Sequence, residues 1–517
     1  MSPVEPRGWF GEAPTLEELR ARYGEQRYKW IALAVVVVGT VAAVMTSSIV
    51  NVALPDLMHA FGIGTERAQW VSSAHMAAMT VSMLLLPWSL SRFGFRHVYF
   101  ASMAMLLVGS IGAALAFDLT MLIVMRVVQG TAAGLLQPLS TVLIMRAFPP
   151  EVRGRAMGVF GFGVVLAPAI GPSVGGVLID AFGWRSVFFI SVPIAAVGWV
   201  LAARLLPRMP ASGEHRGFDI LGFAGVTAFI IVLLESFVRL HDHGLLSVQG
   251  ALWAGSALLL LGLTIWWERR HRAPLIDLSV FEVRSFRIGI LVALIYGMGL
   301  FGSTLIVPAF VQTGLLYTAT MAGTLLMPAG LALALTIPLA GRLADRFAPR
   351  AMVMTGLGLF CLSFLLVAIW PEIGFWPLAG MLVLGRIGLG IILPSLGLAT
   401  VQEVGLDRIP SASSVFNFVR LLGGSIGTST LLIFVEWRAR APLGPLGGEP
   451  THAQLISAYR ASFVLLALSF ALAAACSWLL GGKASTPKPP ASPPGPGPGP
   501  GPGPGPAPSS GPSSPRP

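Results

Sequence analysis

The fold is decided by MLIVMRVVQG at residues 121–130, because MLVLGRIGLG at residues 381–390 repeats it. Met121, Leu122, Arg126 and Gly130 recur as Met381, Leu382, Arg386 and Gly390. Two more matches keep the same order at similar offsets. Ser91-Arg92-Phe93 pairs with Asp345-Arg346-Phe347, and Gly171-Pro172-Ser173-Val174-Gly175 pairs with Gly423-Gly424-Ser425-Ile426-Gly427. Three ordered matches mark a duplicated chain, and related halves are a recurrent plan of secondary transporters.

The quoted stretch is also apolar on both sides of its arginine, and so is most of the chain. Of 517 residues, 55% are hydrophobic and 11% charged, against roughly 25% charged in soluble domains. So few charges cannot cover a water-facing surface, and lipid must be the main solvent. The net charge of +11 does not indicate a nucleic-acid partner, because the basic residues sit in short loops between apolar runs. Cys361 and Cys476 both fall inside apolar runs and read as small core residues, with no zinc spacing and no disulfide framework. The polar, acidic start does not read as a secretory leader. Thr15 and Glu18 have the spacing of a capping box for a short helix before the first apolar run.

Apolar runs of spanning length recur near 30–53, 68–90, 97–117, 120–146, 152–178, 184–206, 218–239, 247–267, 286–314, 320–341, 350–370, 375–402, 411–436 and 457–480. The expected fold is an all-α membrane protein of fourteen transmembrane helices. Residues 1–29 form a terminal segment and 30–206 the first six-helix half. Residues 207–285 add two inserted helices with linkers, 286–480 form the second six-helix half, and 481–517 are a Pro/Gly-rich tail of disordered composition. An even count puts both termini on one side. Of the 34 Lys and Arg, only Arg67, Arg185, Arg239, Arg438, Arg440 and Arg460 fall on the opposite loops, and Arg126, Arg386 and Arg420 lie within spans. The remainder share the side of the termini, which the positive-inside rule assigns to the cytoplasm.

Several motifs in order then resemble the major facilitator superfamily, and more narrowly the fourteen-span drug:proton antiporters of the EmrB/QacA type. Ile49 to Pro55 (IVNVALP) closes the first span, and Gln69-Trp70-Val71 opens the second. Arg126 to Gly130 supplies RxxQG, and Gly171 to Gly176 supplies the antiporter GPxxGG. Trp184-Arg185 with Pro193 matches a later segment in which Ser191 replaces the usual Asn. Gly341 to Phe347 (GRLADRF) is the loop motif, and Asn417, Arg420, Gly423, Gly424 and Gly427 match a late pattern. The resemblance spans roughly residues 30–480. It implies a major facilitator fold, no enzyme activity and no cofactor or metal. It also implies alternating-access export of small amphipathic or lipophilic compounds by proton antiport from a bacterial inner membrane, as a monomer in contact with lipids. Some relatives work with a periplasmic adaptor protein.

The substrate or proton pathway is expected at Thr46, Asn51, His75, Arg126, Gln129, Asn417 and Arg420. An arginine inside a span costs about 2.5–3.5 kcal/mol and needs a partner or a wet cavity; a packing anchor is the structural alternative. His75 is one of few groups in the predicted core that titrate near neutral pH, although a lone His is more often a packing residue. Asp56 and Glu235 are alternative proton sites, and Glu403 reads as interfacial. Gating and conformational roles are expected for Arg92, Gly94, Pro168, Gly171, Pro172, Gly175, Gly176, Gly341, Asp345, Arg346 and Arg386. Among these, the Gly-Pro run is read as a helix that seals or bends at the interface between the halves. Arg96 and Arg350 join the same helix-end loops, where a topogenic role competes.

Two family carboxylates are missing. Thr46 stands where the first span usually carries Asp, and Ser91, with Pro87 for the leading Gly, stands in the first loop motif. Coupling through the usual first-span acid is therefore excluded. Transport of a lipid, pigment or secondary metabolite with atypical or no proton coupling is the alternative reading, and a transporter-like sensor or scaffold is a third.

Overall fold

The computed structural model describes residues 14–207, 217–243, 248–271, 273–440 and 450–480. Contacts divide the chain into Met1–Gly482 and Lys483–Pro517. The expected tail at 481–517 lies outside the described residues, as does 1–13 of the expected terminal segment. The described residues form helices and no strand.

A short α1 (Leu16–Tyr23) begins at the expected capping box, with Thr15 and Glu18 exchanging backbone and side-chain bonds at 3.0 and 3.2 Å. The first half contains α2 (Glu25–Phe61), α3 (Thr65–Ser82), α4 (Leu86–Ala114), α5 (Leu119–Ala147), α6 (Arg153–Phe182), α7 (Ser186–Phe189) and α8 (Ser191–Leu205). The inserted pair is α9 (Ile220–His243) and α10 (Val248–Glu268). The second half is α11 (Arg284–Ala309), α12 (Ala319–Ala344), α13 (Pro349–Ile369), α14 (Phe375–Val401), α15 (Ile409–Arg440) and α16 (His452–Ser477).

Twelve helical runs among the described residues are long and apolar enough to cross a membrane. One of them, Arg67–Ala114, has 48 residues, or about 72 Å at 1.5 Å per residue, more than two hydrocarbon thicknesses of about 30 Å. It turns back at Gly94, whose φ of 75° and ψ of 165° favour a residue without Cβ. That run taken as two passes, with the 30-residue α6 beside it, is compatible with the fourteen expected. Helix α2 outruns its expected span at both ends. A Lys29–Glu25 pair at 3.0 Å continues it into the polar zone, and Gly62 in the left-handed region stops it at φ 60°.

The two halves pack alike. α3 and α4 lie against α5 while α2 lies against α6; in the second half α12 and α13 lie against α14 while α11 lies against α15. α9 packs on α10 and touches α3 and α15. Leu252, Leu258 and Leu259 of α10 are more than 60% exposed, the pattern of a lipid-facing helix.

Side-chain contacts bring the ends of both halves to one face. Trp30, early in α2, meets Phe148 after α5 at 5.1 Å, and Arg153 bonds the Phe148 carbonyl at 3.0 Å. Gly154 of α6 bonds Asp345 after α12, and Arg350 lies 3.9 Å over Trp478 after α16. The described starts and ends of the bundle therefore share this terminal face, as an even number of passes requires. Cys361 and Cys476 are free thiols.

Candidate functional site

Helix α5 carries three long polar side chains in its buried middle, at positions 126, 129 and 137. Eleven residues are about three turns, so Arg126 and Gln137 share a face about 16 Å apart along the axis. That face organises the middle of the bundle.

Arg126 is fully buried. Its Nε donates to the Val71 carbonyl of α3 at 3.0 Å; its Nη1 donates to the Thr46 carbonyl of α2 at 3.0 Å and to Gln129 Oε1 at 2.8 Å. Gln129 Nε2 donates to Ser110 Oγ of α4 at 2.9 Å, and Ser191 Oγ of α8 donates to the same oxygen at 2.7 Å. Bonds to a charged group are worth about 1.5–3 kcal/mol each, so three of them offset the cost of inserting the cation. Among the described residues Arg126 forms no ion pair with a carboxylate. Thr46, where an acid is expected, turns its hydroxyl to the Ala43 carbonyl at 2.7 Å and offers Arg126 only its backbone. Ser191, where the family has Asn, completes the same network through a hydroxyl.

His75 is also fully buried. Its Nδ1 lies 3.3 Å from the Arg126 carbonyl, and its Nε2 has no partner. The structure brings Thr46, His75, Arg126 and Gln129 together, and it separates them from Asn51. Asn51 is exposed and accepts a bond from Ser72 at 2.8 Å. Asp56 is exposed at the far end of α2. Glu235 pairs with Arg239 of its own helix at 2.8 Å. Among the described residues Arg386, the repeat partner of Arg126, reaches only Thr304 at 3.4 and 3.5 Å.

The halves meet in the middle through a second arginine. Arg420 Nη2 donates to Gln137 Oε1 of α5 at 2.9 Å and to Asn417 Oδ1 at 3.0 Å, and Ser413 donates to the Pro138 carbonyl at 3.0 Å. Toward the terminal face the contact tightens. A Cβ on Gly341 would meet Gly154 O at 2.6 Å and Gly158 Cα at 2.7 Å, so α6 and α12 touch backbone to backbone. Asp345 lies just beyond. Its carboxylate accepts the amide N–H of Gly154 at 2.7 Å and of Arg155 at 3.3 and 3.2 Å, with Arg155 Nε at 3.8 Å. These amides are unpaired donors of the first turn of α6, where an anion is favoured. Burial pushes the Asp345 carboxyl up from its ordinary range, and the Arg155 and Gly154 amides partly oppose that.

The expected gating run needs a correction. Gly171 and Gly175 pack on Ser48 and Ile49 of α2, inside their own half, and Gly163 packs on Val37 and Val41. Close contact with the other half falls instead to Gly154, Gly158 and Gly161, the last against Ile337 and Leu393. Gly176 has nothing within 4 Å, so close helix packing does not account for it. Pro168 is half-buried, and the side chain of Pro172 lies outside the described residues. Arg92 and Arg346 are exposed. Arg96 is buried and donates to the Leu206 and Ala203 carbonyls at the end of α8.

Gln137, Ser413 and Gly154 are absent from the expected site. Gln137 was readable as the third polar residue on one α5 face, and Gly154-x-x-x-Gly158 as a small-residue contact motif. Ser413 carries no such signal.

Residues 36–428 match the description Major Facilitator Superfamily. The chain is 30% identical over 416 residues to the multidrug resistance protein B homolog of Mycobacterium tuberculosis, covering 78% of this chain and 76% of that one. It is 30% identical over 403 residues to the multidrug export protein EmrB of Escherichia coli, covering 75% and 77%. Among solved structures, the human organic anion transporter MFSD10 aligns with a TM-score of 0.62 at 16% identity, over 87% of this chain and 99% of that one. The proton:xylose symporter XylE aligns with a TM-score of 0.60 at 14% identity, over 86% and 95%.

Proposed function

Because the chain belongs to the Major Facilitator Superfamily, we propose that this transporter exports small amphipathic or lipophilic compounds by rocking its two halves about the Arg420–Gln137 contact. The observation that carries this reading is a reversible contact between the halves at the terminal face. Asp345 holds the first turn of α6, and the Gly154–Gly158 stripe lies flat on Gly341. Such a contact can break as a unit, since it rests on a few hydrogen bonds and small residues. The multidrug export relatives favour export over uptake. The basic loops support a cytoplasmic terminal face in a bacterial inner membrane, and we assign the working unit as a monomer. A periplasmic adaptor remains part of this proposal by analogy with the group.

Proton antiport is the coupling proposed, with His75 as the titratable group nearest Arg126. A second reading is favoured by one observation: Arg126 donates through Nε and Nη1 to two carbonyls and an amide oxygen while its Nη2 has no partner, so among the described residues the centre of the first half holds a cation without a carboxylate. That reading is movement of a lipid or secondary metabolite with atypical or no proton coupling. Inverted vesicles loaded by a fluorescent amphipathic dye separate the two. Accumulation that collapses with the pH gradient supports antiport; accumulation indifferent to it removes antiport and leaves the second reading. No accumulation in vesicles holding folded protein contradicts export of such compounds.

A further inference from the structure

The inserted pair buries two carboxylates that the transport reading does not use. Asp219, which caps α9, and Glu268, which ends α10, are each 3% exposed. Asp219 is supplied with donors on both oxygens. Oδ1 accepts the Gly222 amide at 2.8 Å and the Trp267 indole at 3.0 Å; Oδ2 accepts the same indole at 3.2 Å and lies 3.5 Å from His271 Nδ1. The amide and the indole are donors, and a carboxylate oxygen accepts from each. Glu268 is different. Its Oε2 accepts the Ile276 amide at 3.1 Å, while Oε1 is buried with no donor.

That unsatisfied oxygen lies beside Asp219. A Cβ on Gly222 would stand 2.4 Å from both Asp219 Oδ2 and Glu268 Oε1, so the two oxygens lie within 4.8 Å of one another beside a residue with no side chain. Carboxylates this close do not both ionise out of water, and one proton between them removes the repulsion. Burying an acceptor without a donor also costs about 1–3 kcal/mol. A proton on Glu268 Oε1 resolves both costs, because it turns that oxygen into a donor facing an acceptor.

We propose that Asp219 and Glu268 form a proton-binding site, with the proton on Glu268 Oε1 donated to Asp219 Oδ2. Asp219 also lines a cavity of about 670 Å³ at the terminal face, which supplies the route to solvent. The charged groups around the pair are His271 on α10, Arg146 at the end of α5, Asp277 in the segment after α10, and Asp407 and Arg408 before α15. Arg270 is turned away onto Trp266. Binding consumes one proton from solution and releases nothing. Its loss leaves two anions across Gly222, which separates α9 from α10 at this end and frees the segment that Glu268 holds through Ile276. The site stands whether or not transport is proton-coupled.

Infrared difference spectra of the purified full-length protein in lipid test this. A protonated-carboxyl stretch is expected to persist near pH 7, where an exposed glutamate is ionised. It disappears in Glu268→Gln and stays in Glu372→Gln, an exposed control. Spin labels at Leu221→Cys and Ile265→Cys, with Cys361 and Cys476 replaced by Ser, are expected to move apart as the band titrates away. They stay close at every pH when Glu268→Gln is added. A band that survives Glu268→Gln, or labels that keep one distance across the titration, overturns the proposal. A band present only when sodium is withheld also overturns it, since the site would then take a metal cation. The label distance in the otherwise unaltered protein decides the matter if Glu268→Gln does not fold.

Discussion

The two loop motifs of the repeat occupy matching places, and they do opposite things. In the second half Asp345 reaches across to the first turn of α6 and takes two amide hydrogens. In the first half Ser91 bends back to the Trp88 carbonyl of its own helix at 2.8 Å. The start of α15, which corresponds to the start of α6, is left facing a cavity lined by Ser91, Arg408 and Pro410. The arginines of the repeat diverge as well. Arg126 ties α2, α3 and α5 together, whereas Arg386 makes two long contacts to one threonine. Duplication thus supplied two copies of each device, and this chain keeps the central strut in one half and the carboxylate latch in the other. A bundle closed by one latch needs fewer bonds broken to reopen.

The arginines offer the largest break in that comparison. Arg126→Ala strands two buried carbonyls and Gln129, and the expected loss is about 3 kcal/mol in the folded state, a more than hundredfold shift that shows as lost yield of monodisperse protein in detergent. Arg386→Ala is expected to change yield by less than about 1 kcal/mol. Equal yields for the two would mean that Arg126 is not a strut.

Next comes the glycine stripe. Gly341→Ala drives a methyl into the backbone of Gly154 and Gly158, at an overpacking cost of about 1–3 kcal/mol that falls on the closed state alone. Transport is expected to drop about tenfold with yield preserved. Gly176→Ala, which meets open space, is expected to leave transport unchanged, and a deficit as large as that of Gly341→Ala would show that packing is not what the stripe provides.

The latch itself is weaker. Losing a side-chain cap costs about 0.5–2 kcal/mol, so Asp345→Ala should slow transport severalfold while Ser91→Ala does little. Ser91→Asp is expected to add a second latch and lengthen the closed lifetime, seen as slower opening by single-molecule fluorescence. No change in that lifetime would show that the first loop motif cannot reach α15.

The smallest effect concerns acid. Burial raises the Asp345 carboxyl in the closed state, so the closed state binds a proton more tightly than an open state in which the carboxyl faces water. Closure is therefore favoured as pH falls through the carboxylate range and weakened as pH rises through it. The dependence should be measurable by the same fluorescence and absent in Asp345→Asn. An opposite slope would mean that the α6 amides outweigh burial.

The fold was legible because apolar length and basic loops obey bilayer physics, and the offsets from 121 to 381 and from 91 to 345 exposed the repeat. Arg126, Gln129 and Arg420 were legible as polar groups in apolar runs. Their partners were not, since a backbone carbonyl such as Thr46 O or Val71 O leaves no mark in the sequence. The glycines at 171 and 175 misled for a related reason. A glycine announces close packing without saying which neighbour approaches, and only the path of α6 shows that α2 takes the upper part of the helix and α12 the lower.

The most direct test is the distance between spin labels at Glu151→Cys and Arg346→Cys, flanking the Asp345 latch, with the native cysteines replaced by Ser. Two populations are expected, the shorter matching the closed face, with a shift toward the longer one when Asp345→Ala is added. A single short distance that Asp345→Ala leaves unmoved would contradict a carrier whose halves rock open at this face.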